Sequence, residues 1–166
     1  RERTALKLML TLLVKRRDEL RLGSLIPVGD LWDEIATGEQ PFSEGMRIQF
    51  ENARKLWTQK LVPLLEAEHN VAWQDLQEGR ADPALAQRFA NDARLLKTLL
   101  LAALVPEVPA LRGLTARRLA ALNHGSVVSP IKGREGGTVA QKLRGWASRV
   151  GEIRIGDDVD PVVSLQ

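Results

Sequence analysis

No cysteine occurs among the 166 residues. Its absence removes disulfides, thiolate zinc sites and cysteine nucleophiles together, and it suits a reducing compartment. Histidine is nearly missing too. His69 and His124 each stand alone, without a second ligand at metal-binding spacing, so neither marks a metal site. Long apolar runs are absent. The longest, residues 99–105, is far short of the ~20 residues that a bilayer-spanning helix needs, and no signal peptide is present. A cytoplasmic protein with no membrane partner is therefore expected. There is no GxxxxGKS/T phosphate loop; residues 133–137 are glycine-rich but lack the lysine and the strand–helix setting. No serine lies in a GxSxG elbow. Asp157 and Asp158 fall on an expected turn and read as solvated. No residue of this chain is assigned a catalytic role.

What is present is ordinary for a soluble globular protein: 44% apolar and 27% charged residues. The length suits one domain or two small ones, at roughly 100–200 residues per domain. The chain starts at Arg1 inside a helix-like pattern and stops in what reads as an unfinished strand. It is read as a segment of a larger protein.

The apolar pattern predicts a mainly α fold: a helical, lid-like bundle over residues 1–80, then a winged-helix-like unit over 81–166 with a small C-terminal β-hairpin. Leu6, Met9, Leu10, Leu13 and Val14 recur at helical spacing, and Gly23 stops that helix. Asp30 suits the cap of a short helix holding Leu31, Trp32 and Ile35. Ser43 suits the cap of a longer one, to about Glu68, striped by Met46, Phe50, Ala53, Leu56, Trp57, Leu61, Leu64 and Leu65. Pro63 within that stripe predicts a kink or break near Lys60. Residues 66–82 are polar apart from Val71, Trp73 and Leu76, and a boundary is placed there. Asp82-Pro83 opens a long helix with Phe89, Ala93, Leu96, Leu99, Leu100 and Ala103 on its stripe. It is apolar nearly all round over 95–105, so burial between neighbours is expected. Thr115 caps a short helix, Val127-Val128 suggests a short strand, and Thr138 caps a last helix running to Val150. Residues 152–155 and 161–165 then read as two strands around a turn. The four tryptophans, Trp32, Trp57, Trp73 and Trp146, read chiefly as core anchors.

Charge is unevenly spread. Residues 112–154 carry nine Lys+Arg against Glu135 and Glu152, a net of +7, whereas residues 1–111 carry −1. On the last helix Val139, Leu143, Trp146 and Val150 fall inward, leaving Gln141, Lys142, Arg144, Gly145, Ser148 and Arg149 outside. Arg117, Arg118, Lys132, Arg134, Gln141, Lys142, Arg144 and Arg149 are therefore candidate nucleic-acid contacts, with the cations on phosphates and Gln141 within reach of a base edge. A solvated or protein-facing surface is the alternative, and the acidic turn at Asp157-Asp158 would repel phosphate. The long connection 123–137 also departs from the tight turn of a helix-turn-helix.

Several stretches carry a resemblance. They are the segment 105–131 (VPEVPALRGLTARRLAALNHGSVVSPI), the run Lys142-Leu-Arg-Gly-Trp-Ala, Gly151-Glu-Ile-Arg-Ile-Gly, Asp160-Pro-Val-Val-Ser-Leu-Gln, and Leu25-Ile-Pro-Val-Gly-Asp-Leu-Trp-Asp. Together they resemble the large phage-resistance ATPases of the BREX and Pgl defence systems. The resemblance implies a region just after an AAA+-type nucleotide-binding core, with ATP and Mg²⁺ belonging to the parent protein and no cofactor in this segment. It implies as partners the rest of that ATPase, double-stranded DNA and other defence-system proteins. In such lids an arginine in R-x-A-L can reach the nucleotide phosphates, and Arg3-Thr4-Ala5-Leu6 fits, making Arg3 the one candidate nucleotide contact. The function expected is a non-catalytic module coupling nucleotide state to DNA or partner binding. A stand-alone winged-helix regulator and a protein-docking helical scaffold are the alternatives.

Overall fold

The computed structural model describes residues 25–37 and 44–166, and within them the protein is mainly helical with a small antiparallel sheet at its C-terminal end. Expectations for residues 1–24 and 38–43, including the first helix, its stop at Gly23, the Ser43 cap and Arg3, lie outside the described residues.

Helix α1 is Asp30–Thr37. Helix α2, Glu44–Leu56, runs into a π-helical turn at Trp57–Leu61 and then α3, Val62–His69. The widened turn contains Lys60, where the sequence predicted a break. Its cause is local: the Val62 N–H bonds to the Trp57 carbonyl five residues back, and Pro63 has no N–H to continue an ordinary ladder. Within this turn Trp57 and Leu61 both face the core, 6% and 0% exposed. Asn70, at φ 51°, ends α3 in the left-handed region that asparagine tolerates.

The polar stretch read as a boundary contains a short helix, α4, Trp73–Gln77. Trp73 donates its backbone N–H to Glu66 at 2.6 Å and sets its ring edge-on to Trp57, 6.2 Å between centroids. The Phe89 ring lies 5.6 Å away on the other side.

Helix α5, Pro83–Leu104, is the axis of the fold. Asp82 caps it, accepting from the N–H groups of Ala84 and Leu85, and proline at its first position costs no hydrogen bond. The helix is buried on most sides from Phe89 to Leu104, although Ala103 is exposed. Lys97 and Thr98, the polar breaks in its apolar run, are buried as well. The Lys97 ammonium donates to Asp33 of α1 at 2.6 Å and lies 5.2 Å over the Trp57 ring. The Arg94 guanidinium donates to Asp30 of α1 at 2.7 Å. Such partly buried pairs recover little more than their desolvation cost, whereas each fully buried leucine contributes ~1.5–3 kcal/mol. Apolar burial therefore holds α5 in place, and the pairs set which way it faces.

Helix α6, Ala116–Leu122, is capped by Thr115, whose hydroxyl accepts from the Arg118 N–H. Helix α7 is Glu135–Ala147, and strands β1, Ile153–Ile155, and β2, Val163–Leu165, pair antiparallel with Ile155 opposite Val163. An isolated bridge joins Thr115 to Val162, tying the hairpin to the start of α6. One hydrophobic cluster includes Trp32, Leu61, Leu96, Leu119, Trp146 and Val163, so side chains from both sides of residue 80 share it.

Two local expectations are corrected. Val127-Val128 forms no strand: it joins neither edge of the two-stranded sheet and lies in the connection between α6 and α7. Thr138 is not the cap of α7, which starts at Glu135 and ends at Ala147 rather than Val150, with Gly136 and Gly137 in its first turn. Gly136 sits there because a Cβ would stand 3.0 Å from the Arg117 Cα; the two helices cross backbone to backbone at that point.

Candidate functional site

Helices α6 and α7 pack through Ala116, Leu119, Ala120, Val139, Ala140, Leu143 and Trp146, all buried. The inner face of α7 therefore matches its apolar spacing, with Val150 buried just beyond its end. What remains outside is the basic surface, and the structure divides it in two.

One group of candidates is occupied within the protein. Lys142 donates to Asp92 of α5 at 2.6 Å. Arg149 donates to Glu68 of α3 at 3.0 Å. The Arg118 guanidinium folds over residues 109–113, donating to the carbonyls of Ala110 and Arg112 at 2.9 Å and of Pro109 at 3.3 Å. Arg144 donates to the Asp158 carbonyl at 3.3 Å on the turn between the strands. Periodicity put Lys142 and Arg149 on the outer face of the last helix; Lys142 lies on the shoulder of α7 and Arg149 just past its end, where carboxylates of two other helices meet them.

The second group is open. Arg117, Lys132, Arg134 and Gln141 are exposed, and among the described residues their side chains meet no hydrogen-bonding or ion-pair partner. Arg134, Gln141 and Arg144 lie along one exposed stripe of α7, with Gly137, Gly145 and Ser148 leaving it low in relief. Arg117 faces out from the first turn of α6, beside Gly136, and its backbone N–H is accepted by the Asp160 carboxylate at 2.9 Å.

Two groups that the sequence did not single out prove central. Asp92, 3% exposed, accepts from Lys142 on one oxygen and meets the His69 Nε2 at 3.0 Å on the other, joining α3, α5 and α7. Asn123, fully buried, accepts from the Gly29 N–H at 3.1 Å and donates to the Thr98 hydroxyl and the Leu119 carbonyl. Gly29 is required beside it, since a Cβ would fall 2.3 Å from the Arg94 carbonyl oxygen. A polar residue breaking an apolar helix was the available signal for Asp92; nothing in spacing points from Gly29 to Asn123.

Between the π turn and the end of α7 lies an open cleft of about 350 Å³, lined by Lys60, Pro63, Leu64 and residues 149–152. Its charges are balanced, Lys60 by Glu152 and Arg149 by Glu68. The Lys60 ammonium, donating to Glu152, holds that carboxyl below its ordinary range, helped by the residue's own backbone N–H. Glu135 is likewise lowered, chiefly by its own backbone N–H and then by that of Gly133. Among the described residues no group of His, Cys, Asp or Glu could hold a metal ion. No described helix is long and apolar enough to cross a membrane.

Residues 1–159 match the family model described as the BREX System ATPase PglY protein 2nd domain. The chain belongs to this family. It is thus a domain of a phage-defence ATPase, as the resemblance in its sequence implied. No solved structure matches it. As a PglY second domain it carries motifs that meet in space: Gly29, from the segment 25–33, donates its N–H to Asn123, from the segment 105–131, while Asp30 meets Arg94 and Asn123 meets Thr98, so both segments close on α5. Part of what identifies this family domain in sequence is therefore its packing.

Proposed function

We propose that this domain is a non-catalytic, cytoplasmic module of the PglY ATPase that passes the nucleotide state of the catalytic core to a surface contacting DNA or a partner protein. In this reading residues 1–80 hold the lid-like part and 81–166 the winged-helix-like part. The observation that carries it is α5. Its Asp92, Arg94 and Lys97 pair outward to α7 and His69, to Asp30 and to Asp33, so the helix links the N-terminal elements to the basic α6–α7 face through directional contacts. ATP and Mg²⁺ would be bound by the rest of the ATPase, with Arg3 reaching the phosphates.

The purified domain is expected to show no ATP turnover above buffer; measurable hydrolysis by residues 1–166 sinks the reading. In the whole ATPase, Arg3→Ala is expected to lower kcat at least about tenfold, as for the loss of a charge-stabilising donor. If the open cations meet duplex DNA, the binding constant falls with salt at a log–log slope of about −0.9 per phosphate contacted, and Arg117→Glu with Arg134→Glu flattens that slope. Binding that ignores both salt and these substitutions excludes this face as the DNA contact.

A further inference from the structure

The α6–α7 corner is not purely basic. Val159, at the tip of the turn between the strands, is 98% exposed, Val128 81% and Ile131 53%. Two hydrogen bonds and one close crossing fix the surroundings of Val159. The Asp160 carboxylate accepts from the Arg117 N–H at 2.9 Å, the Asp158 carbonyl accepts from Arg144 at 3.3 Å, and Gly136 presses on the Arg117 backbone. Val159 is thus held out between two anchored neighbours, over the start of α6 on one side and α7 on the other. Ile131 is held as well: its carbonyl accepts from the Ser129 hydroxyl at 2.8 Å and from the Arg134 N–H at 3.2 Å, so the loop turns directly into α7. Arg117 lies against Gly136 and donates its N–H to Asp160 beside Val159, and Lys132 and Arg134 flank Gly133 next to Ile131; among the described residues the side chains of these three cations meet no partner.

We propose that this corner docks a protein segment that is acidic and carries apolar side chains, its carboxylates meeting Arg117, Lys132 and Arg134 and its apolar groups covering Ile131 and Val159. This rests on the coupling role above and names the partner for it. Charge complementarity sets the sign of the partner, and the apolar residues set its class. Phosphate recognition gains nothing from valine and isoleucine interleaved with cations, whereas protein interfaces combine an apolar centre with arginine. A duplex would also lack Arg118 and Lys142, which are spent on internal acceptors, so the cations left open are too few for an extended phosphate track.

The test introduces a photo-crosslinking amino acid at Val159 or Ile131 in the whole ATPase, expressed in its host with the other proteins of its defence system. Ile48 on α2, 62% exposed and apolar, serves as the control position. These are exposed sites, so thermal melting should match the parent protein. Mass spectrometry is expected to find adducts from 159 and 131 in segments pairing Asp or Glu with Leu, Ile, Val or an aromatic residue. They should be absent from position 48 and fall at least about tenfold with Arg117→Glu and Arg134→Glu, as expected when interfacial charge pairs are lost. Adducts to DNA, adducts to segments without acidic residues, adducts equally strong from position 48 or after charge reversal, or none at all, each overturn the proposal. They leave the coupling reading standing, which fails only by its own test of turnover in the isolated domain.

Discussion

At the scale of single residues, the fold depends on a few contacts that admit no substitute. Gly29→Ala is expected to destabilise the domain by about 2–4 kcal/mol, because the Arg94 carbonyl that its Cβ would strike belongs to a buried helix and cannot retreat. Asn123→Ala should cost about as much, stranding the Gly29 N–H in a dry interior and removing a donor from the Leu119 carbonyl, while the Thr98 hydroxyl keeps its bond to the Arg94 carbonyl. Urea melts measure both; a loss below about 1 kcal/mol would mean that the Arg94 backbone can retreat in the first case and that water reaches the site in the second. Asp92→Ala removes the acceptor shared by Lys142 and His69. Lys142 is 39% exposed and can turn to solvent, so about 2–3 kcal/mol is expected, below the cost of breaking a fully buried pair. Glu152 carries a pH dependence. Its carboxyl is depressed in the folded state from an ordinary 4.5, so the stabilisation it provides is present above that value and is lost as pH falls through the folded value. The melting temperatures of the parent protein and of Glu152→Gln are expected to converge as pH drops below about 4.5, with a smaller gap throughout at high salt. A gap that widens on acidification would reverse the assignment.

At the scale of elements, caps decide where helices begin. Asp82→Ala should cost about 1 kcal/mol by freeing the N–H groups of Ala84 and Leu85, read out as faster amide exchange in the first turn of α5. Asp82-Pro83 was legible in sequence because cap and first position are local chemistry. So were the Pro63 disruption, the Thr115 cap and the terminal hairpin. The start of α7 was not, since Gly136-Gly137 reads as loop until the backbone of Arg117 is known to pass over it. The same limit applies to the surface. Spacing shows that Lys142 and Arg149 leave the inner face of α7, but not that Asp92 and Glu68, from α5 and α3, meet them there. Four of the eight candidates, Arg118, Lys142, Arg144 and Arg149, are consequently internal braces, while Arg117, Lys132, Arg134 and Gln141 remain as a contact set.

At the scale of the whole molecule, one hydrophobic cluster spans the described residues, with Trp32, Trp57, Trp73 and Trp146 in it or against it. Thermal unfolding followed by tryptophan fluorescence and by far-ultraviolet circular dichroism should therefore give coincident transitions. Separate midpoints would show that the two halves melt independently. Helix α5 runs through this cluster for 22 residues. Its charges are keyed to different neighbours, so it can neither spin about its axis nor slip by a turn without stranding an ion. A rod so keyed behaves as a stiff lever: over the roughly 33 Å that such a helix spans, a tilt of roughly 10° at one end swings the other by about 6 Å. Small rearrangements at one end of the helix would arrive at the other as displacements comparable to a side chain's length.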